Sequence, residues 1–172
     1  MTILARLRSL VVICAFVSTA RAAPEPPSVR AVRDWLAAFK AADADKLAIT
    51  STTPFVFSTD YQRKKCDATA KDSAKLQKLF RCLFVDERTF IGERAAVEPV
   101  LAPPSSDSTS LVEKKPSALK KLIGKLGMAD GQTLVDGFLN GDGITFTFVF
   151  AVRPIDGRLL VSGLLLQFER VE

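Results

Sequence analysis

The chain has 172 residues, 24 Lys+Arg against 19 Asp+Glu, no histidine and three cysteines. Without an imidazole, Ser-His-Asp and Cys-His nucleophilic systems are excluded, and so are zinc sites of the usual kind, which need His or several Cys. The net charge is +5, but Arg6, Arg8 and Arg21 lie in the first 22 residues with no acid beside them. The rest of the chain is therefore nearly balanced and lacks the concentrated basic face that nucleic acid requires.

Residues 1–22 read as a cleavable secretory signal. Arg6 and Arg8 precede a mostly apolar run from Ser9 to Thr19, and Ala20-Arg21-Ala22 fits the small-x-small cleavage rule. The run is shorter than the roughly 20 residues a membrane-spanning helix needs, so no stable membrane insertion is expected once it is removed. Cys14 follows the bulky Ile13, not the small residue of a lipoprotein site, and it leaves with the signal. The mature protein is expected to start near Ala23 and to be secreted or periplasmic. Residues 23–28 form a Pro-rich flexible lead-in, and residues 29–172 are of a size for a single domain.

Ser28 is placed to cap a helix starting at Val29. Val29, Val32, Leu36 and Phe39 recur at helical spacing, and Trp35 and Ala38 widen the stripe. Arg30, Arg33, Asp34 and Lys40 occupy the other face. Ala41 to Ala44 breaks the pattern, and Asp45 is placed to cap a short second helix running to about Thr50. After Thr52-Thr53-Pro54 resets the chain, Phe55-Val56-Phe57 reads as a strand that ends between Ser58 and Tyr61. Gln62 to Cys66 is a polar, basic turn.

A further helix is expected from about Asp72, with Leu76, Leu79, Phe80 and Leu83 as its stripe and Cys82 in its last turn. Once Cys14 is gone, Cys66 and Cys82 are a single pair in an oxidising compartment, which reads as a disulfide. The loop it closes is about 16 residues, for which chain entropy gives roughly 3 kcal/mol. The alternative is a pair of reduced, buried thiols. The wide spacing lacks the Cys-x-x-Cys signature of a catalytic redox pair.

Residues 86–112 show no clear period, and Pro99, Pro103, Pro104 and the Ser/Asp cluster after them read as an exposed loop. Pro116 opens a helix with Leu119, Leu122, Ile123 and Leu126 on one side, closing at Gly127. Its Lys120, Lys121 and Lys125 read as a solvated face. Thr133 to Leu139 reads as a strand, and Asn140-Gly141-Asp142-Gly143 as a hairpin turn. The next strand alternates strictly from Ile144 to Val152. Ile144, Phe146, Phe148, Phe150 and Val152 share one face; Thr145, Thr147, Val149 and Ala151 share the other. Pro154 to Gly157 turns the chain again. Arg158 to Arg170 is a long apolar strand in which Gly163 marks a bulge or bend.

Helices first, then an extended piece, another helix and a closing antiparallel meander make an α+β chain. Several segments resemble the NTF2-like (SnoaL-like) superfamily. They are the opening helix from Val29 to Phe39 with its sequel Ala42-Asp43-Ala44-Asp45-Lys46-Leu47, the strand after Pro54, and the closing stretch from Val149 to Val152 with Asp156 to Gly163. The resemblance implies helices packed in the concave face of a curved, mostly antiparallel sheet. It further implies a conical cavity between them and frequent homodimers through the outer sheet face. Members include ketosteroid-isomerase-like enzymes, cyclases, dehydratases and plain binding modules. The Cys66…Cys82 region and the Pro/Ser-rich stretch before residue 112 depart from the pattern.

Two site readings follow. Trp35, Phe57, Tyr61, Phe146 and Phe148 are candidates to line a pocket for a small apolar ligand; the competing reading is that these rings simply fill the core. Asp60 and Tyr61 offer a base beside an oxyanion donor, as in an isomerase of the ketosteroid type. Neighbours on a strand, however, point to opposite sides. Asp34 and Asp136 each fit a solvated face. No catalytic residue, metal or cofactor is assigned. The function expected is an exported binding module for a small apolar ligand or another protein, the alternative being a cofactor-free isomerase, cyclase or dehydratase using Asp or Tyr. The small-residue face of Thr145, Thr147, Val149 and Ala151 is the expected homodimer surface.

Overall fold

Two prolines open the first helix. α1 spans Pro27–Lys40, with Pro26 at the N-cap position and Pro27 in the first turn, where a missing N–H removes nothing the helix would use. The helix therefore starts earlier than Val29. Ser28 is not its cap: its hydroxyl donates to the Glu113 carboxylate, far along the sequence. α1 ends in a Schellman motif. The Asp43 N–H reaches the Ala38 carbonyl at 3.0 Å and the Ala42 N–H reaches that of Phe39 at 3.0 Å, with Ala42 at φ 54°. Asp43 then caps α2 (Ala44–Thr50) by accepting from the Lys46 N–H at 2.9 Å. The cap is thus Asp43, two residues before the expected Asp45.

The structure, a computed structural model, describes residues 24–59, 66, 68–85, 111–115, 131–141 and 144–170, together with 124, 126 and 128. The expected signal, the Asp60-Tyr61 pair and most of the 116–127 helix lie outside them. β1 (Ser51–Thr59) follows α2 directly, and the Thr53-Pro54 peptide is cis. The chain does not reset at Pro54: the strand runs through it, and the pairing of β1 slips between Ser51 and Val56. A slip there suits a residue with no N–H to give a ladder. β2 (Ala68–Ala70) and α3 (Ser73–Val85) follow. Asp72 caps α3 through the Lys75 N–H at 2.8 Å. That bond is the main reason its carboxyl titrates below the usual carboxylate range.

β3 (Val112–Lys114), β4 (Thr133–Gly141), β5 (Ile144–Ile155) and β6 (Arg158–Arg170) complete one curved, six-stranded, unclosed sheet ordered β2-β1-β6-β5-β4-β3. Only the β1–β6 pair is parallel. The first hairpin pairs as far as Gly141 with Ile144. The second turns at Asp156-Gly157, both at positive φ (48° and 76°), the conformation a two-residue type I′ turn needs. Pro154 is therefore still strand, paired with Leu159, and the turn is tighter than the sequence suggests.

Opposite Ala151 and Val152, β6 carries one extra residue, Ser162, between partners Val161 and Gly163. This is the bulge expected at Gly163, and it accentuates the local twist. The Ser162 hydroxyl donates to the Ala151 carbonyl at 3.2 Å and accepts from Gln132 Nε2 at 2.8 Å, both buried. A side chain at Gly163 would sit 3.0 Å from the Val56 carbonyl oxygen and 3.2 Å from Leu126 Cδ2, so only glycine lets β1 and the Leu126 side chain approach.

The main core lies between the helices and the concave sheet face. Trp35 is its centre and is fully buried. Its ring runs parallel to Phe39 (centroids 5.6 Å) and Phe55 (6.3 Å) and meets Phe80 (6.1 Å) and Phe150 (5.5 Å) edge-on. Such pairs add about 0.5–1.5 kcal/mol each beyond area burial. The one polar atom of Trp35, Nε1, donates to Ser51 Oγ at 2.9 Å, so burying it leaves nothing unsatisfied.

Candidate functional site

The sequence candidates fall into two groups. Trp35, Phe57 and Phe148 lie in one buried cluster, at 0, 2 and 2% exposure, and pack among other side chains of the core. Tyr61 lies outside the described residues, as does the side chain of Phe146. The Cys66–Cys82 pair is placed outright: the sulfurs are bonded, with Cα atoms 5.9 Å apart, the separation typical of a bridge. The disulfide ties the C-terminal turn of α3 to the residue two before β2.

Beside it lies a surface cleft of about 250 Å³. β2 forms one wall, with Ala68 and Thr69 exposed and Ala70 buried. Ala68 and Ala70 pair with Phe57 and Phe55, so the cleft opens one strand away from the aromatic core. α3 supplies the other wall: Leu79 is buried in the floor beside the buried Cys66 and the half-buried Cys82, and Lys75 and Lys78 stand exposed at the rim. Lys75 leans back on Asp72 at 3.4 Å. The position of these walls follows from the sequence: Asp72 starts α3, and the helical stripe then turns Leu76, Leu79 and Leu83 inward. Lys75 and Lys78, off that stripe, face out.

A second cleft, of about 350 Å³, lies between α1, the end of α2 and the β5–β6 hairpin. Arg30 and Asp34, one turn apart on α1, and Arg158, just past the tight turn, are its charged groups. Sequence reading placed Arg30 and Asp34 on the polar face of α1 but gave no sign that Arg158 would stand across from them. Only the topology brings β6 to that helix.

Asp136 is the remaining titratable group of note. It is half-buried on the convex face of the sheet, and its Oδ1 has no hydrogen-bond partner. Burial pushes its carboxyl above the usual range; Lys114, on the neighbouring strand, and the Gly137 N–H pull the other way. It is thus less solvated than its sequence pattern suggests. Among the described residues no cluster of Cys, Asp and Glu could hold a metal ion, and no helix is long and apolar enough to cross a membrane.

The convex face, expected as a dimer surface, is partly covered. Val149, Ala151, Leu134 and Leu165 form a second buried cluster beneath Leu126, with Met128 packed against it. Thr147 is half-buried.

No family model matches the chain, and no curated protein matches it. Solved structures do. A ketosteroid isomerase-like protein from Erwinia carotovora atroseptica is 10% identical, with 83% of this chain and 93% of that one aligned and a TM-score of 0.45. An NTF2-like protein from Burkholderia xenovorans is 14% identical over 83% of this chain and 89% of that one, with a TM-score of 0.42. A Nostoc punctiforme protein of unknown function with a cystatin-like fold is 11% identical over 83% and 89%, with a TM-score of 0.45. These likenesses carry no reaction or ligand with them.

Proposed function

We propose that this chain is an exported, disulfide-braced binding module that holds a small apolar molecule in the cleft between β2 and α3. The cleft itself carries the reading. Its floor is Ala70, Leu79 and the disulfide, and its mouth is open to solvent. At about 250 Å³ it falls below the roughly 300–1,000 Å³ of sites for drug-sized ligands, so its occupant is small. The disulfide supports export, because such bridges persist in oxidising compartments. Phe57, paired with Ala68, lies behind one wall, whereas Trp35 and Phe148 belong to the main core and do not line the cleft.

The test uses mature protein, residues 23–172, titrated with the neutral dye N-phenyl-1-naphthylamine. Ala68→Trp fills the cleft from its exposed wall. Saturable dye binding that Ala68→Trp abolishes at unchanged melting temperature supports the reading; no binding, or binding that the substitution leaves intact, overturns it. Self-association through the convex face is a separate proposal. A second copy would meet Leu126 and Met128 before it reached Val149 or Ala151. A dimer mass by light scattering at high concentration supports it, and a monomer mass sinks it.

A further inference from the structure

We propose that the cleft between α1 and the β5–β6 hairpin binds a small amphiphilic monoanion: a carboxylate held between Arg30 and Arg158, with its hydrocarbon chain on Ala31 and Leu159. The inference rests on this second cleft alone and stands whether or not the β2–α3 cleft takes a ligand.

The two guanidinium groups come from distant parts of the chain and line one cleft of about 350 Å³. Among the described residues the Arg30 side chain has no hydrogen-bond or ion-pair partner. Arg158 makes one contact, from Nη2 to the Ile49 carbonyl at 3.4 Å, longer than the 2.7–3.2 Å of a good N–H···O bond (about 2.9 Å is usual). Both therefore keep donors to spare, in the planar fork that matches a carboxylate. Asp34 is the third charged group in the lining. Two cations against one carboxylate leave the cleft one positive charge, which a monoanion balances.

Charge alone does not describe the cleft. Ala31 and Leu159 are half-buried in its lining and pack on the main core. Ile49, whose carbonyl Arg158 touches, is 64% exposed beside it. An inorganic anion would leave this apolar surface wet, and a neutral hydrocarbon would leave both arginines unused. A molecule with one anionic end and a short apolar tail meets both demands. The walls are rigid: a helix on one side, and on the other a strand set by the Asp156-Gly157 turn.

The probe is octanoate, titrated into mature protein by calorimetry, with octanol and octyltrimethylammonium as neutral and cationic counterparts. Octanoate should bind saturably and octanol more weakly. Because the contacts are exposed, Arg30→Gln with Arg158→Gln, or about 0.5 M salt, should weaken octanoate about tenfold at unchanged melting temperature. Ala68→Trp should leave octanoate binding intact, which separates this site from the other cleft. Equal binding of octanol, an unaffected double variant, or loss of binding in Ala68→Trp would overturn the proposal. So would sedimentation with phosphatidylglycerol vesicles without saturable octanoate binding, since the arginines would then belong to a membrane contact.

Discussion

On the concave side of the sheet, β5 contributes Phe148, Phe150 and Val152 to a core that joins all three helices. On the convex side, the same strand contributes Val149 and Ala151, covered by Leu126 and Met128. The two cores share a backbone and differ in what fills them. The concave one is built of rings in fixed mutual angles around a hydrogen-bonded indole. The convex one is built of aliphatic side chains without a ring, with a polar margin of Gln132, Ser162 and Asp136. The lesson is that a strict period of two places two chemically distinct cores on one strand. The bulky one organises the fold, since Trp35 at its centre meets rings from α1, β1, α3 and β5.

The sharpest way to break this contrast is Trp35→Ala. It removes the ring that meets Phe39, Phe55, Phe80 and Phe150 and strands the Ser51 hydroxyl. A loss of about 3–5 kcal/mol is expected, read from denaturant unfolding followed by far-UV circular dichroism. A loss near that of an average surface substitution would show that the rings do not organise the fold. Next comes the covalent brace on the same side. Replacing Cys66 and Cys82 by Ser should cost about 2–4 kcal/mol, and thiol titration of denatured, unreduced protein should find no free thiol. Two free thiols would remove the brace from the account.

The convex core is probed by Gly163→Ala. The added methyl meets the Val56 carbonyl oxygen at 3.0 Å, a backbone atom with little room to move, and a loss of about 1–3 kcal/mol is expected. A neutral result would mean that β1 and β6 separate more easily than their pairing implies.

The smallest effect concerns the polar margin. Burial raises the Asp136 carboxyl above its ordinary value, so the folded chain holds that proton to higher pH than the unfolded one. Its contribution to stability is complete below the usual carboxylate range and is lost as pH rises through the folded value. Asp136→Asn should remove that slope and gain about 0.5 kcal/mol at neutral pH, small because the half-exposed group is screened by water. Thermal melting from acid to neutral pH checks this. A difference between parent and variant that does not change with pH would refute it.

The legible parts of this fold are those governed by a local period. The alternation of β5 predicted both faces correctly at every residue whose side chain is described, and the stripe of Leu76, Leu79, Phe80 and Leu83 predicted the buried side of α3. Gly163 announced its bulge because nothing else explains a glycine amid an apolar strand. The illegible parts depend on distant partners. Ser28 has the chemistry of a cap, but Glu113 takes its hydroxyl. Asp43 and Asp45 are equally good caps by composition, and the Schellman turn at Ala42 decides between them. Pro54 and Pro154 resemble strand breakers, yet both sit within strands. The cleft between α1 and the β5–β6 hairpin was not foreseen because its walls lie far apart in sequence; the β2–α3 cleft joins neighbouring elements, but its shape depends on how the disulfide seats α3 against the sheet edge.

The parallel pairing of β1 with β6 fixes an order of events. β6 lies between β1 and β5, so without it the sheet is two disconnected pieces, β2–β1 and β5–β4–β3. Residues near Val56 must wait for Gly163 and its neighbours before either piece has its central seam. Long-range closures of this kind make folding slow. A ribosome making the chain therefore releases β1 and β2 long before the parallel partner of β1 exists, and the two pieces of the sheet stay unjoined until β6 arrives. In such a topology the last strand made is the one that joins the sheet.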